Sequence, residues 1–232
     1  MVIILNDMKF YPAFVNIKGR RCVVVGGGRV AERKVLSLLQ CGAEVAVVSP
    51  RLTEGLKALK EEGAIEHIER RYRSGDLEGA FLVICATDSQ TLNRKVYSDA
   101  EDLGLLVNVV DTPELCNFIV PSVVRRGDVT IAISTSGRSP YTARWLRERI
   151  EGLLPEEFAK VVEIVGAVRK MMLKEKLNND NKLRIFRLLL DSPLPDYIQR
   201  GDRRRINALL KEVTGLNITL SKLGIKIGER KP

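Results

Sequence analysis

Histidine occurs once in this 232-residue sequence, at His67, and no two of its four cysteines form a C-x-x-C pair. A zinc site built from nitrogen and sulfur ligands is therefore not expected. Cys22 and Cys85 fall inside apolar strand patterns and Cys41 at a helix end; with Cys116 they read as buried, reduced thiols of a cytoplasmic protein. Aromatic residues make up only 5%. No apolar run reaches the roughly 18 residues of a membrane span. The opening stretch, MVIILNDMKF, lacks a basic segment and a small-residue cleavage site, so it is not read as a signal peptide.

What is present suits a packed core with a basic surface. The hydrophobic fraction is 45% and the formal charge is +9. From Pro155 onward there are 17 Lys and Arg against 10 Asp and Glu, so +7 of the surplus lies there. A basic surplus favours polyanionic partners (nucleic acid, phosphates, polycarboxylates) or is simply a solvated basic face.

The first 110 residues alternate between strand and helix patterns. Strands are predicted at 21–26, 44–49, 64–70, 80–87 and 105–110. Helices are predicted from Arg29 to Cys41, with Ala31, Val35, Leu38 and Leu39 on one face, and from Leu52 to Glu61. A third helix follows Asp88, read as its N-cap, with Leu92, Val96, Ala100 and Leu103 on one face. Near-continuous apolar strands joined by helices imply a parallel sheet covered on both faces. Two β-rich runs around Arg126-Gly127-Asp128 then read as an antiparallel hairpin, with Pro121 on an edge or at a bulge. Ser139-Pro140 opens a helix. Further helices are predicted at Glu156–Lys176, Asn181–Asp191 and Asp202–Val213, the first two separated by NND at 178–180. The expected fold is α/β: a Rossmann-like domain over 1–112, a small β-rich segment over 113–152 and a helical domain over 153–232.

Four motifs carry chemistry. Gly26-Gly27-Gly28-Arg29-Val30-Ala31 follows a strand and opens a helix, the setting a dinucleotide fingerprint requires. Gly26 permits the tight turn, Gly28 a close pyrophosphate and Ala31 close packing of helix on sheet. The carboxylate that usually reads the ribose at the end of the second strand is missing; Ser49-Pro50-Arg51 stands there. Ser49 can bond a ribose hydroxyl and Arg51 can pair with a 2′-phosphate, which leaves NAD and NADP both open. The fourth strand ends in CATDSQTLN, where Thr87 and Asp88 are candidate cofactor contacts and Asp88 is read as a cap rather than a catalyst. Asp111 closes the fifth strand, in NVVD; it is either a general acid or base in a partly apolar setting or a turn-forming residue before Thr112-Pro113. In STSGRSPYTARWLRER, Ser136 and Gly137 precede a capped helix and suit an anion nest. Arg138, Arg144 and Arg147 suit a ligand with several carboxylates, or a basic solvated or dimer-forming helix.

Together, VVVGGGRVAERK, AEVAVVSP, ICATD, NVVD, FIVPS and the AISTSGRSP segment resemble the precorrin-2 dehydrogenases of siroheme synthesis, some of which are also sirohydrochlorin ferrochelatases. The match runs in order over roughly residues 10 to 150. The resemblance implies NAD-dependent oxidation of the tetrapyrrole precorrin-2 to sirohydrochlorin, with Fe²⁺ insertion as a second activity of some members. It also implies a homodimer whose interface is built by the segment after the nucleotide domain. It assigns the functional aspartate to Asp111, at the end of the Asn108–Asp111 motif, and nucleotide contacts to Arg29, Val30, Pro50 and Arg51. Asn108, Ser136, Gly137, Arg138 and Arg144 are the expected substrate contacts, and no resident metal is expected. Some members carry a phosphate-modified serine in the loop matching Ser134–Gly137; the aligned residue here is Thr135. The chain is too short for the methyltransferase domain of the fused siroheme synthases. His67, on the third strand, is expected at an exposed structural position.

Two other readings compete. The segment from Leu183 to Val213, with Arg203, Arg204 and Arg205, can be read as the helix–turn–helix of a nucleotide-sensing DNA-binding regulator. The chain can also be an NAD(P)-dependent dehydrogenase of another small anion. Precorrin-2 and NAD remain the expected ligands, with no nucleic acid and no membrane.

Overall fold

The computed structural model describes residues 9–174 and 179–228. It divides into two compact units, one reaching Val120 and including Ser136–Arg138, the other formed by Pro121–Thr135 and the chain from Ser139.

The first unit is a five-stranded parallel sheet in the order β3-β2-β1-β4-β5. Its strands are β1 (Arg21–Val25), β2 (Glu44–Val48), β3 (Ile65–Ile68), β4 (Leu82–Cys85) and β5 (Leu106–Val109). Four consecutive residues of β1, of β2 and of β4 are buried, as strands covered on both faces must be. Three helices cover them: α1 (Arg29–Gln40), α2 (Glu54–Glu61) and α3 (Gln90–Asp102). On one face Ala31, Val35 and Leu38 of α1 and Leu56 of α2 pack over Val24, Val47 and Ile84. On the other, Val96 and Ala100 of α3 pack over Val23, Val83 and Val107.

Several expectations change. Ser89, not Asp88, caps α3; its hydroxyl accepts from the Leu92 amide. A serine one residue later does the capping and leaves Asp88 exposed. Leu103 is 52% exposed, because it is the C-cap rather than the next turn of the buried face. The buried face instead carries Asn93 ahead of Val96 and Ala100. Cys22 and Cys85 are buried, and burial pushes their thiols up to about 11 and about 12. Cys41 caps the end of α1 and is exposed, not buried. The His67 side chain is 4% exposed rather than outward-facing, and its Nε2 lies 2.9 Å from the Ser49 carbonyl oxygen.

Residues after Asp111 fold back along the outer edge of β5. Asn117 accepts from the Val107 amide through its Oδ1 at 2.8 Å and donates from Nδ2 to the Leu105 carbonyl, also at 2.8 Å. Its side chain thereby substitutes for a neighbouring strand.

In the second unit, β6 (Ser122–Arg126) and β7 (Val129–Ile133) form the expected hairpin. Gly127 alone of the two turn residues has positive φ, +57°, the pattern of a type II′ turn. Pro121 lies just ahead of the strand, outside the ladder. Ser139 caps α4 (Pro140–Leu153), and Ala143 packs with Val124 and Ile133 in a small core. Then come α5 (Phe158–Lys174), α6 (Asn179–Leu190), α7 (Leu194–Gln199), α8 (Arg203–Thr214) and α9 (Leu220–Leu223) around their own core. The short α7 and α9 were not legible as periodic patterns. The expected break between α5 and α6 falls partly on residues 175–178, outside the described residues. No helix among the described residues is long and apolar enough to cross a membrane.

Candidate functional site

Strand order 3-2-1-4-5 reverses direction between β1 and β4, and ligands of such sheets sit outside the carboxyl ends of the strands at that point. The glycine loop follows β1 and the Ala86–Ser89 loop follows β4, so both open there.

The three glycines have different reasons. Gly26 turns at φ +119°, and a β-carbon on it would meet the Ala86 carbonyl oxygen at 2.3 Å. A β-carbon on Gly27 would stand 2.0 Å from the Arg51 carbonyl oxygen and 2.7 Å from Ser49 Oγ. The protein's own backbone demands both. Gly28 has an ordinary φ of −86°, and a β-carbon there would meet nothing within 4 Å. That open cradle is what a closely approaching pyrophosphate requires. No side chain caps α1 at Gly28, whereas α2, α3, α4, α8 and α9 are each capped by a hydroxyl or carboxylate. Orphan amides and the helix dipole there favour an anion. The residues fit a dinucleotide, with Arg29 and Val30 in the first turn of the helix.

Ser49 and Thr87 have tasks other than those expected. Ser49 is buried, and its hydroxyl donates to the Arg51 carbonyl at 2.7 Å, so its proton is not offered to a ribose. Pro50 and Arg51 are exposed. Thr87 Oγ1 donates to Asn93 Oδ1 at 2.6 Å, and the Asn93 amide donates to the Thr87 carbonyl at 3.2 Å. Asn93 thus shapes the loop beyond β4. Sequence reading missed it; the signal was an amide standing next to an apolar helix face.

Asp111 follows β5 and is exposed, not set among apolar groups. Its φ is +58°, a left-handed conformation uncommon outside glycine. The turn is tied from within: the Cys116 thiol donates to the Val109 and Thr112 carbonyls at 3.3 Å each. Asn108, expected to touch substrate, instead donates from its amide to the Phe118 carbonyl at 3.1 Å and holds the returning segment. Asp111 lines a cavity of about 160 Å³ with Asn93, Arg94, Thr112 and Glu114. Drug-sized ligands fill about 300–1,000 Å³, so this space admits one substituent of a larger ligand. Lys34 of α1 is half-buried nearby. Burial, and then Arg33, lowers its pKa, while Asp111 and Cys116 act the other way. A larger cavity, about 510 Å³, lies around Arg203, Asn207 and Lys226 in the helical unit and has none of these features.

The remaining candidates lie in the loop before α4 and on α4 itself. Ser136 and Gly137 have positive φ, 53° and 81°, and Arg138 is exposed. Arg144 pairs with Glu148 at 2.9 Å and Arg147 with Glu151 at 2.8 Å along α4. The arginine row expected to meet carboxylates of a ligand is therefore partly neutralised by its own helix. Thr135 Oγ1 donates to the Ser139 carbonyl at 3.0 Å and fixes the loop before α4. Of the basic run in α8, Arg203 donates to the Ile227 carbonyl at 2.7 Å, and Arg205 pairs with Asp202 and stacks on Tyr197.

Comparison with known proteins shows what the chain is similar to. Residues 13–122 match the model described as "Putative NAD(P)-binding", and residues 126–153 the one described as "Sirohaem biosynthesis protein central". A siroheme synthase of Thioalkalivibrio sulfidiphilus is 40% identical over 212 residues, 90% of this chain and 43% of that protein. One from Nitrosococcus oceani is 41% identical over 205 residues, 88% of this chain and 44% of that protein. The chain is similar to part of these siroheme synthases. It spans under half the length of these curated relatives. The solved structure of SirC, a precorrin-2 dehydrogenase, superposes on this chain with a TM-score of 0.74. That match covers 89% of this chain and all of SirC at 23% identity, and it carries the fold: parallel sheet, small antiparallel sheet and C-terminal helices.

Proposed function

We propose that the protein oxidises precorrin-2 to sirohydrochlorin with NAD. The observation that carries this reading is the joint position of Gly28 and Asp111. An open, uncapped helix start and a carboxylate follow β1 and β5 on one edge of one sheet, in a chain similar to siroheme synthases. NAD, when bound, supplies the hydride acceptor. The chain's own residues do the rest. The α1 amides and the Gly28 cradle hold the pyrophosphate. Asp111 takes onto its carboxylate the proton that departs as the ring loses hydride. Arg94 and Lys34 offer positive charge beside it to a substrate rich in carboxylates. Fe²⁺ insertion into the product is a second activity the same acid can serve, by accepting pyrrole protons.

The protein acts as a cytoplasmic homodimer in this reading. A two-stranded sheet is marginal alone, and around it Tyr141, Trp145 and Val123 are exposed. A second copy covering that face would account for both facts. The DNA-binding reading loses ground, because two of the three arginines it needs are engaged within the helical unit.

The test is anaerobic incubation of precorrin-2 with NAD. The sirohydrochlorin absorption spectrum should appear with an equal amount of reduced NAD. Unchanged precorrin-2 over many enzyme equivalents would overturn the assignment. Added Fe²⁺ should then give siroheme faster than the enzyme-free control, and equality with that control removes the chelatase.

A further inference from the structure

The end of β2 reads the adenosine ribose in dinucleotide folds, normally with a carboxylate that accepts from the 2′-hydroxyl and repels a 2′-phosphate. In this chain that place is rebuilt. The Arg51 main chain is pressed against Gly27, whose β-carbon position is 2.0 Å from the Arg51 carbonyl oxygen. Ser49 Oγ ties down the same residue, donating to its carbonyl at 2.7 Å and accepting from its amide at 3.4 Å. The Thr53 amide donates to the Gly27 carbonyl at 3.0 Å and closes the connection to α2. Residue 51 is therefore fixed beside the glycine loop while its side chain stays exposed.

The acids around it are turned to other work. Glu32 accepts from Thr53 Oγ1 and lies over Gly55. Glu54 pairs with Lys57 at 2.7 Å. Glu69, beyond β3, is 3.5 Å from Lys60 and 4.0 Å from His67. Among the described residues, Arg51 has no ion pair. A planar guanidinium with no carboxylate partner, held where an acid would exclude a phosphate, is suited to a bidentate contact with phosphate oxygens.

We propose that Arg51 makes this site accept the 2′-phosphorylated dinucleotide NADP alongside NAD, and that it is the residue setting the balance between them. The proposal rests on the dinucleotide reading of the glycine loop and is tested by binding rather than turnover. Calorimetric titration of the full chain with NAD and with NADP gives the affinity ratio. NADP should bind no more than tenfold more weakly than NAD, and Arg51→Ala should lower the NADP-to-NAD affinity ratio at least tenfold. Arg51→Glu should lower it further, by like-charge repulsion. A wild-type gap above tenfold, or a ratio moved less than tenfold by Arg51→Ala, overturns the role of Arg51 while leaving NAD binding intact. Binding of neither dinucleotide overturns the nucleotide reading itself, and this inference with it.

Discussion

A β-carbon on Gly26 would stand 2.3 Å from the Ala86 carbonyl oxygen, so the turns after β1 and β4 meet through main chain alone. A main-chain oxygen cannot yield as a flexible side-chain tip can. Gly26 also sits at φ +119°, where an L-residue is strained. Gly26→Ala should therefore cost about 2–4 kcal/mol of stability, read from the urea midpoint. Gly28→Ala meets open space and should cost less than about 1 kcal/mol. Yet it should weaken NAD binding at least tenfold, because its methyl group occupies the cradle. Equal losses of stability in the two variants would remove the distinction between a glycine kept for the fold and one kept for the ligand.

Asp111 holds a conformation that glycine adopts more readily. Asp111→Gly should leave stability unchanged or raise it by up to about 1 kcal/mol. Precorrin-2 turnover should fall by about 10²–10⁴, the usual contribution of a positioned acid or base. NAD affinity should stay within twofold, since the glycine cradle is untouched. A variant both more stable and nearly inactive would mark Asp111 as kept for chemistry. Full turnover would return it to the role of a turn residue.

Much of this was readable from the chain alone because its signals are local. The faces of α1, the Gly26–Gly28 loop and the five strands each follow from spacing within a dozen residues. What was not readable depends on residues far apart. Nothing near Gly27 says that Arg51 will press against it. Asn108 and Asp111 share one motif, yet Asn108 bonds Phe118, and that partnership exists only once the chain has folded back along β5. The cap moved from Asp88 to Ser89 because both residues are competent and only helix phase chooses between them. The arginines of α4 looked available for a ligand because sequence spacing also permits their i,i+4 pairing with Glu148 and Glu151 and cannot say which prevails.

Asn93 offers a sharper case. It is buried, and its amide serves the Thr87 hydroxyl, the Thr87 carbonyl and the Cys85 thiol together. Asn93→Ala leaves those groups without their partner, which should cost about 1–3 kcal/mol by thermal or urea unfolding. It should also raise the KM for NAD, because the loop beyond β4 loses its brace, with a smaller change in kcat. Asn93→Asp keeps an acceptor for the two donors but cannot donate to the Thr87 carbonyl, and should fall between the two. An alanine variant as stable as the parent would mean that water replaces the amide and that the loop holds its shape unaided.

The acid sensitivity of the first unit should trace in part to Asp76. Its side chain is 5% exposed and accepts from both terminal nitrogens of Arg70 and from the Arg73 amide at 2.7 Å. The Arg70 hydrogen bond is the main cause that holds its carboxyl below the usual 3.8; burial opposes this, and the Arg73 amide adds to it. With the folded pKa below the unfolded one, the unfolded chain binds the proton first as pH falls. The pair's stabilisation is thus fully present above the unfolded pKa and is lost as pH drops through the folded one. Asp76→Asn cannot titrate. The stability gap between parent and variant should be constant from about pH 5 to 7 and narrow below about pH 4, no more steeply than about 1.4 kcal/mol per pH unit for a single group. Urea unfolding at pH 3 and pH 7 measures it. A gap of the same size at both values would show that the carboxylate's charge contributes nothing and that only its shape and acceptors matter.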